Sequence, residues 1–249
     1  MARRTRFGLA VLAALVIMTA LALLLIPPIY QDPQYHQFAD ERSIWGVPNF
    51  WNVASNAPYL VVAVFGLWSL LRRPRLLRDW DLAIHIVLAL GLIAVAAGSS
   101  WYHLRPDSTT LFWDRLPMTL VFMSLLASMI RERISENIGR WLFLPLLGAG
   151  ILSVLHWKFS GDLRFYAAIQ FFPLVAVPVM ALFFPPRYSG TIGIFLMCGL
   201  YTVAKLLEMS DRAIAVFVAT GGHPWKHLIS ALAILCYMAA VSRRQPIDT

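Results

Sequence analysis

Eight apolar runs, each near the length that crosses a bilayer, constrain this chain more than any other feature. They cover 7–27, 50–71, 82–102, 111–130, 141–156, 165–184, 190–207 and 226–242. A membrane span needs about 20 mostly apolar residues in a helix. The connections between runs are brief, and no repeat, low-complexity linker or separate soluble domain interrupts them. Only 14% of residues are charged, with 59% hydrophobic and a mean hydropathy of +0.67, against roughly 25% charged in soluble domains. The expected fold is all-α, a polytopic membrane helix bundle.

The first run follows Met1-Ala2-Arg3-Arg4-Thr5-Arg6, as a signal sequence would. It is longer than the roughly 7–15 residues of a signal core, and it ends at Pro27-Pro28 without a small-x-small cleavage site. It reads as a retained span. Two parts are therefore expected: a transmembrane segment over 1–30 and a seven-span domain over 31–249.

The net charge is +8 and the isoelectric point about 9.9. Basic residues fall at alternate ends of the runs, the positive-inside pattern of a membrane protein rather than a nucleic-acid surface. With the N-terminus inside, the inner segments carry Arg3, Arg4, Arg6, Arg72, Arg73, Arg75, Arg78, Arg131, Arg133, Arg140, Arg187, Arg243 and Arg244. The outer segments carry only Arg42, Arg105, Lys158, Arg164, Arg212 and Lys226. Both termini are thus expected in the cytoplasm. The loop Arg72 to Arg78 reads as a topology signal and a contact for anionic lipid. Cys198 and Cys236 each lie inside an apolar run, which excludes a disulfide scaffold and leaves buried free thiols.

That topology gathers the unusual polar residues on one face of the membrane, the outer one. Ser99 and His103 end the third run, Asp114 begins the fourth, Asn52, Ser55 and Asn56 begin the second, and His223 and His227 begin the last. Lys205, Glu208 and Asp211 close the seventh on the same side. The charge asymmetry alone set the topology, so this convergence is independent of it. Ionisable groups at membrane depth are rare and usually functional.

His223 and His227 are four apart, as are Ser99 and His103, and residues so spaced share a helix face. Arg105-Pro106-Asp107-Ser108-Thr109-Thr110 has turn and N-cap chemistry, so the third and fourth spans should be antiparallel neighbours with His103 and Asp114 at similar depth. Three imidazoles with an open fourth position suit a hydrolytic zinc. Around such an ion Asp114 would handle the proton of the attacking water and Ser99 the developing oxyanion. The other histidines, His36, His85 and His156, read as ordinary interface residues. Phe165, Tyr166, Phe171 and Phe172 read as ordinary span residues rather than a tunnel for lipid tails.

Phe50-Trp51-Asn52 with Ser55-Asn56, Gly98-Ser99-x-x-x-His103, Asp114-x-Leu116-Pro117-Met118 and His223-x-x-x-His227 together resemble the alkaline ceramidase family. That family belongs to a wider superfamily of membrane hydrolases that includes the adiponectin receptors. The resemblance covers residues 35–242, and order and spacing agree across four separated motifs. It implies a seven-helix ceramidase-like core to which the first span is an addition. It also implies a zinc amidase, with His103, His223 and His227 holding Zn2+ and Ser99 and Asp114 as catalytic residues. The substrate would be a membrane lipid, ceramide or a related N-acyl lipid, cleaved to a long-chain base and a fatty acid. Asn52, Ser55 and Asn56 suit hydrogen bonds that bridge helices or, alternatively, that orient a zinc ligand, and Glu208 and Asp211 are further candidates for orienting the ligands. Lys205 and Glu208, three apart, also suit a structural ion pair.

Two departures stand out. Eukaryotic alkaline ceramidases carry an acidic cluster, D-W-x-E-x-N, before the first core helix and a Glu just before F-W-N, together similar to a calcium site. Here Asn49 stands at that Glu position and the preceding acids are only Asp32, Asp40 and Glu41, an incomplete set for Ca2+. Arg115 replaces the acid that often follows the family's Asp, a change that could move the substrate. The short loops suit a bacterial inner membrane, with the active site on the outer face. The rival reading is a lipid-sensing membrane receptor with little or no turnover. A transporter would want broken helices at mid-membrane, whereas the polar residues here lie at one rim.

Overall fold

The computed structural model describes residues 3–72 and 79–247; Arg73, Arg75 and Arg78 of the basic loop lie outside the described residues. In chain order the helices are α1 (Arg3–Leu25), a 3-10 turn (Pro33–His36), α2 (Phe50–Ala54), α3 (Ala57–Leu71), α4 (Asp79–Leu104), α5 (Ser108–Arg133), α6 (Glu136–Ser160), α7 (Arg164–Phe183), α8 (Thr191–Met209), α9 (Asp211–Ala215) and α10 (His223–Arg243). Among the described residues there is no β-strand. Among the described residues eight stretches are long and apolar enough to cross a membrane, with α2 and α3 together forming one. The protein is an integral membrane helix bundle.

Local chemistry sets the helix ends. The run expected at 141–156 extends to Glu136–Ser160 because Ser135 caps its start and Gly161, at φ 77°, closes its end in the left-handed region that glycine tolerates. Asp107 caps α5 with a capping box: its carboxylate accepts from Thr110 N at 2.8 Å, and the Thr110 hydroxyl accepts from Asp107 N at 3.2 Å. The short connection makes α4 and α5 antiparallel neighbours. The run expected as one span over 50–71 is broken at Ser55-Asn56. Pro58 has no N–H for the Ala54 carbonyl one turn back, so the helix can restart there at little cost.

α5 is the axis of the bundle, with 78% of its span buried, and it packs on α4, α6 and α7. α10 lies against α8 and α3. α1 packs on α7 and is only 6% buried along its span. The segment between α1 and α2 folds back over the end of the bundle where α4, α8 and α10 meet. A tight turn pairs Ile44 with Val47 in both directions, at 3.2 and 3.0 Å, with Trp45 and Gly46 at positive φ.

Candidate metal centre

Three backbone features and one carboxylate bring the polar residues together. Pro117 gives no N–H to the Trp113 carbonyl one turn earlier. That carbonyl lies against Gly98, where any β-carbon would sit 2.0 Å from it. α4 and α5 therefore touch backbone to backbone at the level of Ser99 and Asp114, and the Ser99 hydroxyl hydrogen-bonds the Asp114 carboxylate. On the other side, Gly221 takes a φ of 67° so that the chain can enter α10 directly. The Asp211 carboxylate there accepts from His223 N at 2.8 Å and from Ala39 N at 2.9 Å. This one carboxylate ties the start of α10 to the covering segment.

His103, from the last turn of α4, meets His223 and His227, from the first turn of α10, in a near-equilateral triangle. Ring centroids are 4.9, 5.0 and 5.0 Å apart. One nitrogen from each ring lies within 4.8 Å of the others. All three side chains are buried. Both His103 nitrogens and His227 Nε2 have no hydrogen-bond partner, although buried polar groups are ordinarily satisfied. Phe38, from the covering segment, seals the triangle with its ring 4.7 Å from His103 and 4.8 Å from His223. This donor set could hold a metal ion: three convergent imidazoles in a closed pocket suit the nitrogen chemistry of zinc.

Hydrogen bonding orients one ring. The Ser55 hydroxyl donates to the Asn52 carbonyl at 3.1 Å and lies 2.7 Å from His227 Nδ1. A hydroxyl has one proton to give, so Nδ1–H must donate to Ser55, which leaves Nε2 bare and facing the triangle. Of Asn52, Ser55 and Asn56, which the sequence offered together as helix-bridging or imidazole-orienting groups, Ser55 is the one that hydrogen-bonds an imidazole. Asn52 instead donates to the Asp40 carbonyl at 3.0 Å, and Asn56 to the Asn52 carbonyl at 2.9 Å. Both side chains donate to backbone carbonyls rather than to an imidazole. Its place at the α2–α3 break, invisible in a hydropathy run, gives Ser55 that reach.

Glu208 and Asp211 also act at one remove. Asp211 holds the His223 backbone, as above. Glu208 accepts from Lys226 Nζ at 2.9 Å, from the Tyr35 hydroxyl at 3.2 Å and from Lys205. Lys226 Nζ in turn lies 3.4 Å from His223 Nε2. Lys226 was missed as a site residue and counted only toward outer charge, although it shares a helix face with His223 three residues earlier. Among the calcium candidates, the Asp40 carboxylate pairs with Arg42 at 2.6 Å, Glu41 is exposed, and Asn49 donates to the His103 carbonyl at 2.8 Å. Asn49 thus fixes the last turn of α4.

The chain matches the family model described as Ceramidase over residues 44–186, more than half its length. It belongs to the ceramidase family. The match includes Ser99, His103 and Asp114, while His223 and His227 lie beyond it. A search of curated proteins finds no match. Family membership makes the protein a hydrolase acting on ceramide-type amides.

Two cavities adjoin the centre. An apolar one of about 700 Å³ lies among α3, α4, α5, α7, α8 and α10, lined by Tyr59, Leu92, Met118, Phe122, Gln170 and Tyr201 among others. A polar one of about 570 Å³ holds Asp114 and shares Met118 and Gln170 with the first. Tyr166 and Phe171, read from the sequence as plain span residues, line the polar cavity.

Proposed function

We propose that this member of the ceramidase family is a zinc-dependent amidase that cleaves ceramide or a related N-acyl lipid to a long-chain base and a free fatty acid. The observation that carries this reading is the buried triangle of His103, His223 and His227, one ligand nitrogen of each within 4.8 Å of the others, with both His103 nitrogens and His227 Nε2 unpartnered. Bound zinc supplies Lewis-acid polarisation and a lowered water pKa.

The protein's own residues do the rest. Ser55 holds His227 in the tautomer that leaves Nε2 free. Asp114 takes a proton from the attacking water and returns it to the leaving amine. Ser99 orients Asp114, and its hydroxyl can turn to the oxyanion that develops on the amide carbonyl. Phe38 and the covering segment keep bulk water from the pocket. The apolar cavity, walled by aliphatic and aromatic side chains, takes an acyl chain, with the amide at its polar end. The charge asymmetry and short loops support a bacterial inner membrane, both termini cytoplasmic and the centre on the outer face. The seven spans after α1 form the hydrolase unit, with α1 as its N-terminal addition.

The test is incubation of the purified protein with N-acyl lipids, with and without a chelator, alongside metal analysis. Fatty acid release that a chelator abolishes and zinc restores is the expected result. Stoichiometric zinc with no turnover on any N-acyl lipid would overturn the enzyme reading in favour of a lipid-sensing receptor.

A further inference from the structure

The polar cavity beside Asp114 holds more positive charge than its own carboxylates answer. Arg115 lines it with its side chain 5% exposed. The guanidinium carbon lies over the rings of Trp157, Tyr166 and Tyr35, at 4.3, 4.9 and 5.5 Å. Nη2 donates to the Gln31 side-chain oxygen at 2.6 Å, and Nη1 is buried with no hydrogen-bond partner. The aromatic faces hold the group in place, yet they leave one edge of its donor fork unanswered. On the opposite wall Lys205 and Lys226 share the single carboxylate of Glu208. Three cations, Arg115, Lys205 and Lys226, thus face two carboxylates, Asp114 and Glu208, which leaves one positive charge unanswered within the cavity.

A buried cation without a counter-charge is costly, and a guanidinium with a free edge matches a carboxylate or phosphate. A neutral polyol headgroup would leave the imbalance standing. Building on the amidase reading of the adjoining centre, we propose that the polar cavity receives an anionic headgroup, recognised by Arg115. The preferred substrate is then an N-acyl lipid carrying a carboxylate or phosphate on its amine half, with its acyl chain in the apolar cavity.

The test uses N-palmitoylglycine, N-palmitoylethanolamine and palmitate as probes. Each is titrated into the purified, chelator-treated protein, where turnover cannot confuse binding. The wild type is expected to bind the anionic amide about tenfold or more tighter than the neutral one. Arg115→Gln should bring the two close together, and Arg115→Lys should keep part of the preference. Equal wild-type affinities, a comparison that needs no variant, overturn the proposal, as does a preference that survives Arg115→Gln. Dependence on Arg115 for palmitate but not for N-palmitoylglycine also overturns it, because the anion held would then be the released acid. Failure of the amidase reading is seen separately, as absence of fatty acid release by the zinc-loaded protein from all N-acyl lipids.

Discussion

Buried histidines occur at both ends of the bundle, in opposite hydrogen-bonding states. Far from the metal centre, His85 is fully enclosed. Its Nδ1–H donates to the Asp81 carbonyl at 2.6 Å, and its Nε2 lies 3.0 Å from the Tyr237 hydroxyl, itself 2.8 Å from Ser128. The Asp81 carboxylate is claimed by Arg131 and Arg244, at 2.9 and 3.3 Å. At the other end, His103 has no partner on either nitrogen and faces two more imidazoles. Burial is equal in the two regions, so burial does not mark function. What differs is satisfaction: one polar cluster closes on itself, and the other leaves imidazole nitrogens bare, as a site that could hold an ion does. His85 therefore corrects the sequence expectation of an interface residue, because its paired nitrogens let it sit in the core.

The largest effect that could break this contrast is on metal content. His223→Ala should lose the metal and with it all activity above background. His85→Ala should keep full metal stoichiometry and lose only stability, by about 1–3 kcal/mol for the partners left unpaired. Elemental analysis and thermal melts of both variants decide it, and metal loss in the His85 variant would erase the distinction.

Next come the groups that act on substrate. Ser99→Ala should cut turnover by about 10²–10³ while zinc stays bound, read as kcat beside metal analysis. A parallel loss of metal would make Ser99 part of the ion's scaffold instead. Smaller again is Ser55→Ala, which should weaken zinc by about 10–100-fold through a poorly oriented His227, measured by competition with a chelator of known affinity.

The smallest effect lies at the rim, where satisfaction is again complete. Asp162 accepts from Arg164 Nε at 2.8 Å and from the backbone of Arg164 and Ile29 at 3.0 and 3.3 Å. The Arg164 side chain, followed by those backbone N–H groups, holds its carboxyl well below the usual carboxylate range. Its contribution is therefore present at neutral pH, above its unfolded pKa, and is lost as acid approaches the folded value. Asp162→Asn should lower Tm at neutral pH, and the gap from wild type should shrink between about pH 5 and pH 2. A constant gap across that range would show that the carboxylate charge plays no part.

How much of this was legible in the sequence differs from residue to residue. The turn and N-cap chemistry of Arg105 to Thr110 was readable because a cap is a contact within one turn of chain, although the reciprocal Asp107–Thr110 box was seen only in the structure. Ser99 and His103 were readable as one helix face for the same reason. The break at Ser55-Asn56 was not, since Phe50–Leu71 is apolar enough to pass as one span. Lys226 was not, because its neighbours Glu208 and Lys205 come from another helix.

The amino-acid order alone pointed to eight helices apolar enough to cross a membrane and to the end of the bundle at which the polar residues collect. These follow from hydropathy and charge, which act through the solvent and need no partner. Only the tertiary structure decided that α4 and α10 bring their imidazoles within ligand distance, that Ser55 sets the His227 tautomer, and that Arg115 keeps a bare edge. Each depends on backbones approaching to contact, as at Gly98 and Trp113, and such approach is a property of packing between segments distant in the chain.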